Sequence, residues 1–256
     1  MVAESATFLL VHGSWHAGDC WDLVADRLRA TGHRVLAPDL PGRREVPMPA
    51  TGQPTVDAVA SLVGIVDGEA EPVVLVGHSS GGMLVSEVAR QRPGRVAAAV
   101  YLAAFHLPPG QLPRDAIRPE DGSRLGAAIQ VEPCSGRTTI RPEQAADLFY
   151  HDCAPGLAAA AVARLVPEPS VRAGSGAPQS VDDSDVPCAT ILTLDDRALP
   201  IVSQRRMAAA LPCALTYEMA TGHSPFLSAP DALAGILREI AASAASLAPA
   251  GQASGN

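Results

Sequence analysis

The pentapeptide Gly77-His78-Ser79-Ser80-Gly81 constrains this chain more than any other stretch. It follows an unbroken β-type run, Pro72-Val73-Val74-Leu75-Val76, and precedes a helical one, Gly82-Met83-Leu84-Val85-Ser86-Glu87-Val88-Ala89-Arg90. A G-x-S-x-G between strand and helix sends the chain through a sharp turn with a serine at its tip. Such a turn strains the serine backbone, so the residues around it must be small; Gly77 and Gly81 meet that need. The hydroxyl then stands clear of the sheet at a helix N-terminus, where developing negative charge is favoured.

The rest of the chain repeats the same alternation. Short apolar strands are predicted at 7–11, 34–37, 72–77, 96–102, 189–194 and 214–218, as in a parallel sheet covered on both faces. Helical patterns lie between them: Trp21, Val24, Ala25 and Leu28 before Gly32, Val56 to Val66, Met83 onward to a stop at Pro93, Ile201 to Leu211, and Ala229 to Leu247. The expectation is an α/β fold, a mostly parallel sheet of about six strands flanked by helices with right-handed crossovers. Residues 106–186 break the rhythm. They are rich in Pro, Gly and Arg, with helical patches at 142–150 and 155–165, and are expected to form an inserted helical lid. The expected organisation is a core of 1–105 and 187–247, a lid over 106–186, and a disordered tail over 248–256.

Composition removes several function classes. A length of 256 residues fits one domain, and 47% apolar but only 4% aromatic residues make Ala, Val and Leu the core formers. A net charge of −8 disfavours a nucleic-acid or anionic-membrane partner. All 19 basic residues are arginine, which excludes a Schiff-base mechanism and a Ser-Lys dyad. The cysteines, 20, 134, 153, 188 and 213, are odd in number and never in C-x-x-C spacing; they read as reduced, buried thiols of a cytoplasmic protein, not as a zinc site. No basic stretch or cleavage site precedes the strand at Thr7, so no signal peptide is expected, and the apolar run Val96 to Phe105 is too short to span a bilayer. Asp182-Asp183-Ser184-Asp185 lacks the Gly and Glu of a calcium loop and reads as a solvated acidic turn. Heavy use of Ala and Arg suggests a GC-rich bacterial genome.

An activated serine needs a base and an acid to orient it. Downstream of Ser79 lie His106, His151 and His223. His106 and His151 fall at the ends of the lid. His223, in Ala220-Thr221-Gly222-His223-Ser224-Pro225, follows the last strand, at the same edge of the sheet as the serine turn, and is the candidate base. The acid is expected after the preceding strand, where Asp195 and Asp196 are adjacent; only one can reach the imidazole, with Asp196 favoured and Asp195 the alternative. Two backbone N–H groups are needed for an oxyanion. Ser80 supplies one and Ser14, in Val11-His12-Gly13-Ser14-Trp15-His16, the other. Candidate substrate contacts are Trp15, His78, Phe105, Phe149, Tyr150 and Phe226. Ordinary packing accounts equally well for Trp15, His16, Phe149 and Tyr150, and better for His78. His12 reads as structural and His33 as a surface residue.

Together these segments resemble the α/β-hydrolase superfamily, specifically the branch of plant methyl esterases and hydroxynitrile lyases and its bacterial relatives. The resembling stretches are Val11 to His16, Gly32-His33-Arg34-Val35, Gly77 to Met83, Tyr101-Leu102-Ala103-Ala104-Phe105, Asp196-Arg197-Ala198-Leu199-Pro200 and Gly222-His223. The resemblance spans nearly the whole core, is weak over the lid, and implies that Asp196 is the triad acid. Two departures matter. The lyases carry Lys after the catalytic His and Thr after the first-loop His, where this chain has Ser224 and Gly13. Without that cation nothing obvious holds a cyanide leaving group.

The expected function is a serine hydrolase of the carboxylesterase type. It would cleave a small to medium hydrophobic methyl or acyl ester, lactone or thioester without metal or cofactor. A homodimer is left open. The alternatives are a lyase or C–C cleaving enzyme using Ser79 and His223 as a base pair, and a non-catalytic ligand-binding protein that keeps the triad.

Overall fold

Every strand of the main sheet runs parallel to its neighbours. In the computed structural model, which describes residues 5–48, 53–108, 110–169 and 186–247, the chain begins with β1 (Thr7–Val11), α1 (Asp22–Ala30), β2 (Arg34–Leu36), α2 (Pro54–Gly68), β3 (Val73–His78), α3 (Gly81–Gln91) and β4 (Val96–Leu102). An insertion follows, with α4 (Pro113–Ala116), α5 (Leu125–Ala128), β5 (Ile129–Val131), β6 (Thr138–Ile140), α6 (Pro142–Phe149) and α7 (Pro155–Val162). The chain then returns through β7 (Cys188–Thr193), α8 (Ile201–Ala210), β8 (Leu215–Met219), α9 (Pro225–Ser228) and α10 (Pro230–Leu247). The six-stranded sheet has the order β2-β1-β3-β4-β7-β8.

The apolar strand runs are explained by burial on both faces. Along β1, Phe8 and Leu10 join a core with Trp21, Val24 and Leu28 of the α1 side and Leu233, Leu237 and Ile240 of α10. Leu9 and Val11 point the other way, onto Leu62 and Val66 of α2 and Val85 and Val88 of α3. β3 divides likewise, Val74 and Val76 against Val73 and Leu75. Each such side chain contributes about 1.5–3 kcal/mol when fully buried, so the sheet is anchored from above and below. Register levels the strand ends: Gly77 lies opposite Val11 and Tyr101, His78 opposite Leu102, and Thr193 opposite Met219. The loops after β1, β3, β4, β7 and β8 therefore open on one edge, the carboxyl edge where α/β sheets bind ligands.

Three expectations are corrected. The cysteines are not all reduced: Cys188 and Cys213 form a disulfide, their Cα atoms 4.9 Å apart, while Cys20, Cys134 and Cys153 are free and Cys134 is exposed. Parallel pairing of Ala189 with Leu215 brings the entrances of β7 and β8 together, which sequence spacing cannot reveal. The cysteine ground for a reducing compartment is thereby removed. The insertion is not purely helical, since β5 and β6 form an antiparallel hairpin. His33 is buried, edge-on to Phe8, and its Nδ1 accepts the Ala6 N–H at 3.1 Å. The acidic stretch 182–185 and the tail 248–256 lie outside the described residues. Among the described residues no helix is long and apolar enough to cross a membrane.

Candidate active site

Ser79 sits at the carboxyl end of β3 with φ of 53°, in the left-handed region. Its N–H donates to the Leu102 carbonyl at 3.2 Å, and its own carbonyl accepts from Gly82 and Phe105 at 3.1 and 3.0 Å. The glycines of the motif are dictated by contact: a Cβ on Gly77 would lie 2.7 Å from the Gly81 carbonyl oxygen, and one on Gly81 2.9 Å from that of His12. Trp15 (φ 61°), in the loop after β1, and Ala103 (φ 42°), directly after β4, share this unusual backbone. Strain of roughly 1–3 kcal/mol per residue persists only where the surroundings enforce it, and it gathers at functional sites.

The loops after β7 and β8 bring Asp196 and His223 together. His223 Nδ1 donates to Asp196 Oδ2 at 2.7 Å, and both residues are buried. Asp196 Oδ1 accepts the backbone N–H groups of Ala198 and Leu199, each at 2.8 Å, and Oδ2 also accepts from Thr193 Oγ1 and Gln204 Nε2. With the carboxylate so supplied, the proton of the neutral imidazole resides on Nδ1 and Nε2 keeps its lone pair. Asp195 takes no part; its N–H donates to the Thr221 carbonyl. Among the described residues no hydrogen bond links Ser79 Oγ to His223, a contact that commonly tightens only when substrate binds.

Opposite lies the loop after β1. Ser14 and Ser80 abut through their hydroxyls at 2.9 Å, and among the described residues neither backbone N–H donates to a protein acceptor. A Cβ on Gly13 would approach Ser79 Cβ to 2.8 Å, so only glycine lets this loop close over the serine. Below it, His12 Nδ1 donates to the Gly13 carbonyl and Nε2 accepts the Leu40 N–H, the structural role expected of it. Burial keeps His12 neutral, its pKa lowered to about 3, and that of His16 lowered to about 4.

The candidate substrate contacts divide. Trp15 stacks on Phe149 with centroids 6.2 Å apart, and Phe149 tilts over His223 at 5.6 Å. Phe226 meets His78 edge-on at 5.0 Å. Tyr150 donates its hydroxyl to His16 Nε2. His78 is fully buried, its Nε2–H donating to the His223 carbonyl at 2.9 Å, and burial pushes its pKa well below the usual value. Phe105 belongs to a separate cluster with Leu107, Ala116, Leu199 and Met207.

A strained serine after a parallel strand, with a buried Asp–His pair carried by the loops after the last two strands, is the arrangement the alpha/beta hydrolase family shares. That family's sequence profile matches residues 8–236. The chain belongs to the alpha/beta hydrolase family. It is 29% identical to a pyrethroid hydrolase of Sphingobium wenxiniae over 91% of this chain and 86% of that one. To methylesterase 17 of Arabidopsis thaliana it is 27% identical, over 94% and 93%. The crystal structure of a pyrethroid hydrolase from Sphingobium faniae superposes with a TM-score of 0.80 at 28% identity, covering 95% of this chain and all of that one.

Residue type alone had not pointed to several groups in this hydrolase's site. Gln204 of α8 accepts the Thr193 N–H with Oε1, and its Nε2 lies within hydrogen-bond reach of the Leu199 carbonyl, Thr193 Oγ1 and Asp196 Oδ2. A glutamine beside a serine and two arginines in one helix carries no signal unless its face is known. Glu168 accepts the Trp15 N–H at 2.9 Å while ion-paired to the buried Arg43, and Thr138 Oγ1 accepts from the Trp15 indole. These partners are more than 120 residues apart, beyond the reach of local pattern.

Proposed function

We propose that this hydrolase is a serine carboxylesterase acting on a small to medium, neutral, hydrophobic carboxylic ester. The observation that carries the reading is the Asp196–His223 pair at 2.7 Å beside a serine held at φ 53°. In the reaction Ser79 Oγ attacks the ester carbonyl and His223 Nε2 takes its proton. The negative oxygen so formed is met by the Ser14 and Ser80 N–H groups, each worth about 3 kcal/mol. His223 returns the proton to the leaving alkoxide, an alcohol departs, and an acyl-enzyme remains. Water, deprotonated by the same imidazole, then releases the carboxylic acid and restores Ser79. Asp196 holds the tautomer throughout and stabilises the imidazolium.

Substrate class follows from the charges at hand. Arg43 and Arg197, on loops that border the site, are ion-paired to Glu168 and Asp147, so neither is free to receive a substrate carboxylate. Trp15, Phe149 and Phe226 supply apolar surface. Full-length likeness to a pyrethroid hydrolase and a methylesterase supports ester chemistry. Gly13 and Ser224 favour it over the lyase reading: no threonine fits at Gly13, and a buried, neutral Ser224 stands where a lyase would hold its cation. The test is turnover of p-nitrophenyl esters of graded acyl length by the wild type and Ser79→Ala. Turnover that disappears in the variant is expected; equal turnover by both would overturn the reading.

A further inference from the structure

One short stretch of the insertion reaches both loops on which the proposed chemistry depends. Phe149 ends α6, and Tyr150, His151 and Asp152 follow. The Tyr150 hydroxyl donates to His16 Nε2 at 2.8 Å, and His16 Nδ1 donates to the Ser14 carbonyl at 2.8 Å. Both nitrogens of the His16 ring are thus committed. The imidazole transmits the position of a phenol in the insertion to the residue whose N–H faces the oxyanion. Tyr150 and His16 are 2% and 4% exposed, so water does not compete for these bonds.

Two residues on, Asp152 Oδ2 accepts the N–H of Gly222 at 2.7 Å. Gly222 directly precedes His223, whose own carbonyl accepts from His78 Nε2 on the other side. The turn carrying the base is therefore held between the insertion and the serine elbow. The join is close: a Cβ on Gly222 would meet His151 Cε1 at 2.6 Å and Asp152 Oδ1 at 2.8 Å, and those side chains would have to move. Between the two hydrogen bonds, the Phe149 ring packs on Trp15 and His223.

We propose that Tyr150 and Asp152 are positioning residues for this hydrolase. Tyr150 sets the oxyanion loop through His16, and Asp152 sets the turn that presents His223. The inference rests on the ester-hydrolase reading and extends it: the insertion completes the catalytic geometry as well as bordering the substrate. Groups that only attach the insertion to the core would, when lost, lower stability or raise KM. Groups that aim the donors and the base lower kcat, because misplacement is felt in the transition state.

The experiment compares Tyr150→Phe, Asp152→Ala and Asp152→Asn with wild type by kcat and KM on a p-nitrophenyl ester, by the rate of phosphonylation with a fluorophosphonate, and by Tm. Tyr150→Phe is expected to lower kcat about tenfold with KM within about twofold, and to slow phosphonylation in parallel. Asp152→Ala, whose hydrogen bond has one side open to solvent, is expected to lower kcat about threefold. Asp152→Asn retains an oxygen that accepts the Gly222 N–H and is expected to restore most of that loss. A rise in KM at unchanged kcat, or wild-type kinetics in Tyr150→Phe and Asp152→Ala, would overturn the proposal. If Asp152→Ala does not fold, Tyr150→Phe decides. A wild type that phosphonylates but turns over no ester removes the ester reading, while the phosphonylation rates still decide the positioning roles. A wild type that does not phosphonylate overturns both.

Discussion

At Asp196 five donors converge on one carboxylate: two backbone N–H groups, a threonine hydroxyl, a glutamine amide and the His223 imidazole. Such an acid is fixed in place, and its value to catalysis is the tautomer it imposes. Asp196→Asn would offer an N–H to Nδ1 and drive the proton onto Nε2, where it blocks the base. A fall in kcat of about 10³–10⁴ is expected in ester turnover, with a lower Tm because the new amide NH2 faces donors that the carboxylate had accepted. Gln204 supports the acid from behind. Gln204→Leu leaves the buried Thr193 N–H and the Leu199 carbonyl without their side-chain partner, and a loss of about 1–3 kcal/mol is expected in urea unfolding. That Ser79, His223, Asp196, Ser14 and Ser80 lie on loops or turns at the carboxyl ends of strands was legible, because strand ends show in the sequence. Gln204, Asp152 and Glu168 were not, since their roles depend on which loop a distant segment touches. Tyr150 and His78 were legible as aromatic residues near the site, but the hydrogen bonds that occupy them were not.

At the level of elements, the doubly buried strands announced themselves as continuous apolar runs, and their bounds shifted by no more than two residues. The hairpin of β5 and β6 did not, because three-residue strands bounded by Pro, Gly and Ser have no period to detect. The disulfide is likewise a product of assembly. It ties the start of β7 to the approach to β8, the edge strand whose far end leads to His223. Closing a loop across a separation of 25 residues is worth about 3 kcal/mol through the unfolded chain. Thermal unfolding of the wild type with and without dithiothreitol is expected to show a lower Tm on reduction, and Cys188→Ser should unfold at that lower Tm under both conditions. Equal Tm values in the wild type would show that the bridge carries no stability.

Across the whole molecule, buried histidine links stability to pH. Burial lowers His12 to about 3, His16 and His106 to about 4, and His78 well below its usual value, so all four are neutral in the fold. In the unfolded chain they titrate near 6.5. Between pH 6.5 and about 4 the unfolded state therefore binds the extra protons. The stability these rings hold at neutral pH is lost as pH falls, at up to about 1.4 kcal/mol per pH unit for each ring. The urea midpoint is expected to drop steeply from pH 7 to pH 5, and a flat midpoint would contradict the neutral state of these rings.

The proposed chemistry rests on Ser79 being an activated nucleophile served by His223. The most direct measurement is mass spectrometry of the protein after brief exposure to a fluorophosphonate, with peptide mapping of the adduct. The expected result is a single adduct on the peptide containing Ser79, absent in Ser79→Ala and formed at least about a hundredfold more slowly in His223→Ala. Labelling that persists in Ser79→Ala, or an unmodified wild type that still hydrolyses esters, would contradict it.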